Sequence, residues 1–405
     1  MATPTQRASQ ATMVHGSVAP RFEAVREEFT RNFTQRGELG GACAVYLRGE
    51  LVVDLWGGVR NKQTGEPWEE DTLVPVFSST KGMASMGVAV AHSRGLFDYD
   101  ERVATYWPEF AQNGKADVTV RQLLSHQAGV CAIDEKLDLD TLADPDRVAA
   151  AIAKQKPAWE PGARHGYHGI SLGWYESELV RRVDPQHRTI GRYFQDEVAR
   201  PLGVEFYIGL PDDIPRARLA RIAPYKKWQL LFNMDKMPRP FVIGFLNPRS
   251  ITYRTFANPK VIGDPAGYND PRVQRLELPA SNGIGRVGDM AKAYGEFATG
   301  GARLGLTQET LDALRQPATP PRDGLVDVVL GVETIFSLGY AKPFPAFRFG
   351  LNEDAFGTPG AGGSFCFADP VAQLGFAYAM NKTGFYLWDD PREKSLRDAV
   401  YSCLT

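Results

Sequence analysis

Residues 73–92, LVPVFSSTKGMASMGVAVAH, constrain this chain more than any other stretch. An apolar run, Leu73-Val74-Pro75-Val76-Phe77, leads into Ser78-Ser79-Thr80-Lys81. Met83, Met86, Val88, Ala89 and Val90 follow at the spacing of a buried helix. A serine at such a junction is a good N-cap, because its hydroxyl satisfies an orphan backbone N–H. With a helix starting near Ser78, Lys81 lies one turn on and shares its face. The ammonium then reaches the serine oxygen, and burial lowers its pKa by disfavouring the charged form. A neutral lysine beside a serine is a general base beside a nucleophile. The plainer reading is a capping serine followed by a solvated lysine, but a buried helix is a poor place for a solvated charge.

The 405 residues exceed the usual size of one domain, so two lobes are expected. The net charge of −2 and the lack of a Lys/Arg run imply neither nucleic acid nor an anionic membrane as partner. Cys43, Cys131, Cys366 and Cys403 are scattered without metal spacing and read as free thiols in a reducing compartment. The polar N-terminus has no secretory apolar core, and no stretch is long enough to span a membrane, which together predict a soluble, cytoplasmic protein. No phosphate loop or dinucleotide fingerprint is present, so no cofactor and no metal is expected.

Along the chain, residues 1–17 read as a disordered lead. A helix carrying Phe22, Val25, Phe29 and Phe33 ends near Gly37. A hairpin follows, Ala42–Leu47 and Leu51–Trp56 around Arg48-Gly49-Glu50. A helix before antiparallel strands argues against alternating βαβ units. Helices are predicted at 144–154, where Asp144 caps and Pro145 suits the first position, and at 171–183. The segment 225–275 mixes aromatics with prolines and reads as a loop-rich insertion, mostly a satellite core of the helical lobe, with some residues free to line an apolar pocket. A helix starts at Val287, strands are expected at 331–338, 347–350, 363–368 and 374–380, and a last helix covers 391–401. The resulting division is an α/β lobe of residues 18–92 and 285–405 interrupted by a mostly helical lobe, 93–284.

A lysine-activated serine needs a proton donor for the leaving group and an oxyanion hole. The Pro/Gly loop PGARHGYHG (161–169) carries an aromatic hydroxyl, and FGTPGAGGSFCFADP (356–370) is a Gly-rich entry to a strand pair. With SSTK (78–81), LLSHQAG (123–129) and SNGIGRVGDMAKAY (281–294), these segments resemble the class C β-lactamase-like serine hydrolases, most of all the family VIII carboxylesterases. The resemblance covers nearly the whole chain past residue 20.

It implies an α+β fold with an antiparallel sheet flanked by helices, and an acyl-serine mechanism with Ser78 as nucleophile and Lys81 as base. It further implies Tyr167 as proton shuttle and the backbone N–H groups of Ser78 and Ala361 as oxyanion hole. Thr358, Gly360, Gly169 and His168 become expected substrate-binding positions. Gly169 stands where β-lactamases keep an asparagine, and Thr358 where they keep the lysine of Lys-Thr-Gly. Without that charge the site should favour neutral, short- to medium-chain esters, small molecules, over carboxylate-bearing β-lactams. A β-lactamase or D-amino-acid peptidase on the same fold, and a catalytically idle binding relative, are the competing readings. Oligomeric state is not legible.

Two motifs compete for the site. Gly169-Ile170-Ser171-Leu172-Gly173 matches a nucleophile elbow, but no strand precedes it and the later histidine, His187, follows too closely. The literal Lys382-Thr383-Gly384 follows the last strand instead of preceding a strand pair, and reads as a turn. His126 and His168 flank site segments without acidic neighbours at metal-ligand spacing, which favours structural roles.

Overall fold

The computed structural model describes residues 13–226, 228–229 and 232–404. Its main sheet is antiparallel, in the order β1-β3-β2-β10-β9-β8: β1 (Val14–Val18), β2 (Gly40–Leu47), β3 (Glu50–Asn61), β8 (Phe356–Pro359), β9 (Phe365–Asp369) and β10 (Leu374–Met380). A short β4 (Glu66–Pro67) pairs with β3. The two ends of the chain thus interleave, with β10 seated between β2 and β9. Every residue of β10 is buried, which explains its continuous apolar sequence: both faces are covered, so no alternation is needed.

Helix α1 (Glu23–Gln35) and the C-terminal helix (Pro391–Ser402) pack together on one side. The helix Val287–Ala298 packs on β2, β9 and β10 on the other. Its approach is so close that a Cβ on Gly375 would lie 2.2 Å from Gly295 N and 2.4 Å from Ala291 O, so only glycine fits there.

Helix α2 (Ser79–Ser93) lies between the sheet and the helical part of the chain, touching β8 and β9 on one side and the helix Ser171–Val183 on the other. Its approach strand, β5 (Val74–Pro75), pairs with β7 (Ile284–Gly285), which also pairs with β6 (Phe206–Tyr207). The helix Pro145–Lys154 starts as expected, with the Asp144 carboxylate accepting from the Asp146 and Arg147 N–H groups.

Four expectations are corrected. Residues 14–17, placed in a disordered lead, form with Val18 the edge strand β1, paired to β3 from Val14↔Gly57 to Val18↔Val53; residues 1–12 lie outside the described residues. The expected strands at 331–338 and 347–350 are irregular chain joined by isolated bridges, because β8, at 356–359, holds the edge position beside β9. The segment 225–275 contains the helices Arg239–Leu246, Ile251–Phe256 and Pro271–Arg275. It is also not mainly a satellite core: Phe241 is buried, but Trp228, Phe232 and Tyr253 are exposed.

Candidate active site

Twenty consecutive residues, from Thr72 to Ala91, are buried with one exception, Ser78. It stands at the floor of a cavity of about 260 Å³, where the approach strand turns into α2. The turn is sharp. Phe77 adopts φ 50°, a left-handed conformation that is costly for a bulky side chain. The Thr80 N–H and hydroxyl both donate to the Phe77 carbonyl, and the Phe77 ring packs edge-on to Tyr268. Ser78 does occupy the N-cap position, but with helical φ/ψ (−64°, −14°) and no side-chain capping bond. Its hydroxyl is not spent on the helix.

That hydroxyl lies 3.2 Å from Lys81 Nζ. Lys81 is 1% exposed and donates to two carbonyls, Gly169 O at 2.6 Å and Ala280 O at 2.9 Å. Burial lowers its pKa to about 7, opposed by the carboxyl of Glu176. A neutral amine has two N–H bonds and one lone pair. The two carbonyls take the N–H bonds, and the lone pair is left facing Ser78 Oγ.

Tyr167, half-buried at the cavity wall, lies beside both groups: Lys81 Nζ is 4.8 Å from its ring centroid. Burial raises its phenol pKa, and a hydrogen bond with the Ser78 side chain opposes that rise. The loop carrying Tyr167 is pinned through its backbone. Gly166 N–H donates to His126 O (3.1 Å), Tyr167 N–H to Asp327 Oδ2 (2.9 Å) and His168 N–H to His126 Nδ1 (3.0 Å). Asp327 also accepts from the N–H groups of Val329 and Leu330, both at 2.8 Å, and burial pushes its pKa up to about 6.

Ala361 faces the cavity from the loop between β8 and β9. Among the described residues, neither its backbone N–H nor that of Ser78 has a protein acceptor. The loop is held by buried Arg392, whose Nη2 donates to Gly362 O at 2.7 Å. Beneath it, a Cβ on Gly360 would lie 2.6 Å from Val76 O, so glycine lets this loop lie against the turn that presents Ser78.

The remaining expected site residues divide. Thr358 lines the cavity, 3% exposed. Gly360 is buried behind it and does not line the cavity. Gly169 holds Lys81 through its carbonyl, and a Cβ there would lie 2.4 Å from Phe256 Cε1, so the aromatic ring fills the space an asparagine would need. His168 is fully buried away from the cavity. Its Nδ1 lies 2.8 Å from Gly166 O and its Nε2 accepts from Val130 N–H at 3.2 Å, a neutral tautomer with a pKa lowered by burial to about 3. Its expected substrate contact is therefore corrected to a structural one.

Neither Ser171 nor Lys382 of the competing motifs lines the cavity. Ser171 opens the helix Ser171–Val183, buried, donating its hydroxyl to Val130 O at 2.9 Å. Lys382 turns away to donate to Gly37 O, although Thr383 and Gly384 do line the cavity. Asp327, Arg392 and Ala280 carried no sequence signal, since each acts on the site through backbone groups. The 225–275 segment supplies about a third of the cavity's lining residues, including Phe241, Phe245, Phe256 and Tyr268.

This sheet, with a Ser-x-x-Lys helix buried against it, defines a protein of the serine β-lactamase and penicillin-binding-protein fold. The chain belongs to the β-lactamase family, whose sequence model matches residues 25–399. It is 32% identical over 380 residues to the esterase/beta-lactamase LipL of Mycobacterium tuberculosis, covering 91% of this chain and 83% of that protein. Among solved structures it is similar to a family VIII carboxylesterase (37% identity, TM-score 0.85, 96% of this chain and all of the other). A penicillin-binding protein homologue from Caulobacter crescentus is similar at 35% identity and TM-score 0.82, with the same coverage.

Proposed function

We propose that this chain is a serine hydrolase that cleaves carboxylic esters through an acyl-enzyme on Ser78. The observation that carries the reading is the Lys81 amine, buried, held by two carbonyls and aimed at Ser78 Oγ. In the acylation step Lys81 takes the Ser78 proton as Oγ attacks the ester carbonyl. The developing oxyanion sits between the N–H groups of Ser78 and Ala361. Collapse breaks the bond to the alkoxide, which takes a proton from the Tyr167 hydroxyl and leaves as the alcohol. Tyr167 is reprotonated by the Lys81 ammonium. Water then attacks the acyl-enzyme, giving its proton to the same relay, and Ser78 regains its proton as the acid departs. The raised pKa of Tyr167 suits a donor at neutral pH and argues for Lys81, not the phenolate, as the resting base.

Neutral esters fit the cavity better than β-lactams. Among the described residues, no cationic side chain other than Lys81 lines it, and aromatic and aliphatic groups make most of its wall. The similarity to a family VIII carboxylesterase supports the same substrate class, and the esterase/beta-lactamase relative supports ester hydrolysis without separating it from β-lactam hydrolysis. The test compares short and medium p-nitrophenyl esters with a chromogenic cephalosporin. The reading expects esters to be turned over at least about tenfold faster in kcat/KM, the smallest effect of a missing charged contact. A cephalosporin preferred over every ester overturns it.

A further inference from the structure

Past its first residue, the helix Arg239–Leu246 is apolar around its whole circumference. Phe241 and Phe245 point into the cavity, Val242 lines it, and Ile243 and Leu246 are 71% and 60% exposed. A surface helix normally turns a polar face to water, so one that is apolar all round calls for a cover. The exposure extends beyond the helix. Trp228, Phe232 and Tyr253 are also exposed, so that half of the large apolar side chains exposed among the described residues fall within 225–254.

The same segment is basic. Residues 225–254 hold six lysines and arginines against one aspartate, a local charge of +5 in a chain whose net charge is −2. Arg239 and Arg249 flank the two ends of the helix, exposed, and neither has an ion-pair partner among the described residues. Lys236 lies over Phe385 and Tyr386 at the cavity wall, 5.9 and 5.5 Å from the ring centroids. Leu246 belongs to both surfaces: it is exposed and it lines the cavity. Apolar surface therefore runs without a break from solvent to the chamber above Ser78.

We infer that Trp228, Phe232, Ile243 and Leu246, with Arg239 and Arg249 beside them, form a docking surface for an anionic lipid–water interface, with the helix Arg239–Leu246 lying in the interfacial plane. Exposed Ile and Leu side chains on an apolar helix flanked by arginines, with an exposed Trp and Phe on the preceding chain, are what such an interface retains, through buried apolar area and attraction to anionic headgroups. The whole-chain charge of −2 conceals this local excess of basic residues, of which Arg254 alone is ion-paired among the described residues, to Asp134. The continuity of patch and cavity lets an apolar ester pass from the lipid phase to Ser78. That last step rests on the esterase reading, whereas the docking does not.

The test is flotation of the full chain with vesicles of two parts phosphatidylcholine to one part phosphatidylglycerol. The wild type and Ser78→Ala should both float, less with pure phosphatidylcholine and less in high salt. Loss of a single basic residue near the surface should weaken binding about fivefold, so Arg239→Gln with Arg249→Gln should lose more than about tenfold. Phe232→Ser with Ile243→Ser, neither of which lines the cavity, should lose at least about tenfold in partition, with hydrolysis of a water-soluble short ester and thermal unfolding unchanged. Failure of wild type and Ser78→Ala to float, or equal flotation of the variants and wild type, overturns the inference. So does a wild-type dimer that Phe232→Ser/Ile243→Ser converts to a monomer, since a second copy would then be the cover.

Discussion

Replacing Gly169 by alanine puts one methyl group where the Phe256 ring already stands. The new Cβ would lie 2.4 Å from Cε1 and 2.9 Å from Cζ, about an ångström inside normal contact. Either Phe256 swings toward the cavity, or the 166–169 loop retreats. The loop is the part tied to the chemistry, because Gly169 O holds Lys81 Nζ at 2.6 Å and Tyr167 is two residues away. Overpacking of this kind costs about 1–3 kcal/mol. Spent on displacing the base, that is a loss of about 5- to 150-fold in kcat/KM for a short p-nitrophenyl ester, carried mainly by kcat. Phe256→Ala removes the obstruction, so Gly169→Ala/Phe256→Ala should recover most of what Gly169→Ala lost, with a coupling of the same 1–3 kcal/mol order in a double-mutant cycle. Full activity in Gly169→Ala, or additive losses in the double variant, would refute the steric argument and with it the reason this chain lacks an asparagine there.

Lys81→Ala and Tyr167→Phe should each lower kcat by about 100- to 10,000-fold while largely sparing KM, and their effects should not add, since both groups serve one relay; steady-state kinetics of the two single variants and the double variant decide it. Because Lys81, the proposed base, acts as the neutral amine, kcat/KM should fall as pH drops through about 7, read from the acid limb of the pH–rate profile. Thr358→Lys should raise kcat/KM toward carboxylate-bearing β-lactams by about 10- to 150-fold and leave neutral esters unchanged or slower, whereas Lys382→Ala should change neither, its side chain being turned to Gly37.

The buried helix that begins at Ser79 was legible because its signal is local: Ser78 and Lys81 are one turn apart, and the apolar run around them could only be buried. The helices from Pro145 and Ser171 were also legible, the first from its cap. What failed depends on pairing at a distance. The apolar stretches 331–338 and 347–350 have strand composition but no ladder partner, since β8 fills the place beside β9. Edge strand β1 was missed because Val14–Val18 is short and mostly exposed, with only β3 to order it. Asp327 and Arg392 escaped for another reason: they hold Tyr167 and Gly362 through backbone atoms, which no motif records. The aromatics of 225–275 were visible, but their side was not: periodicity cannot say that Phe241 faces the cavity while Ile243 faces solvent.

The central claim is that Ser78 carries the acyl group. A fluorophosphonate, which traps an activated serine covalently, followed by peptide mass spectrometry, tests it most directly. The account predicts one adduct, on the peptide containing Ser78, lost in Ser78→Ala and retained in Ser171→Ala. An adduct on Ser171 or any other serine, or one that persists in Ser78→Ala, contradicts it.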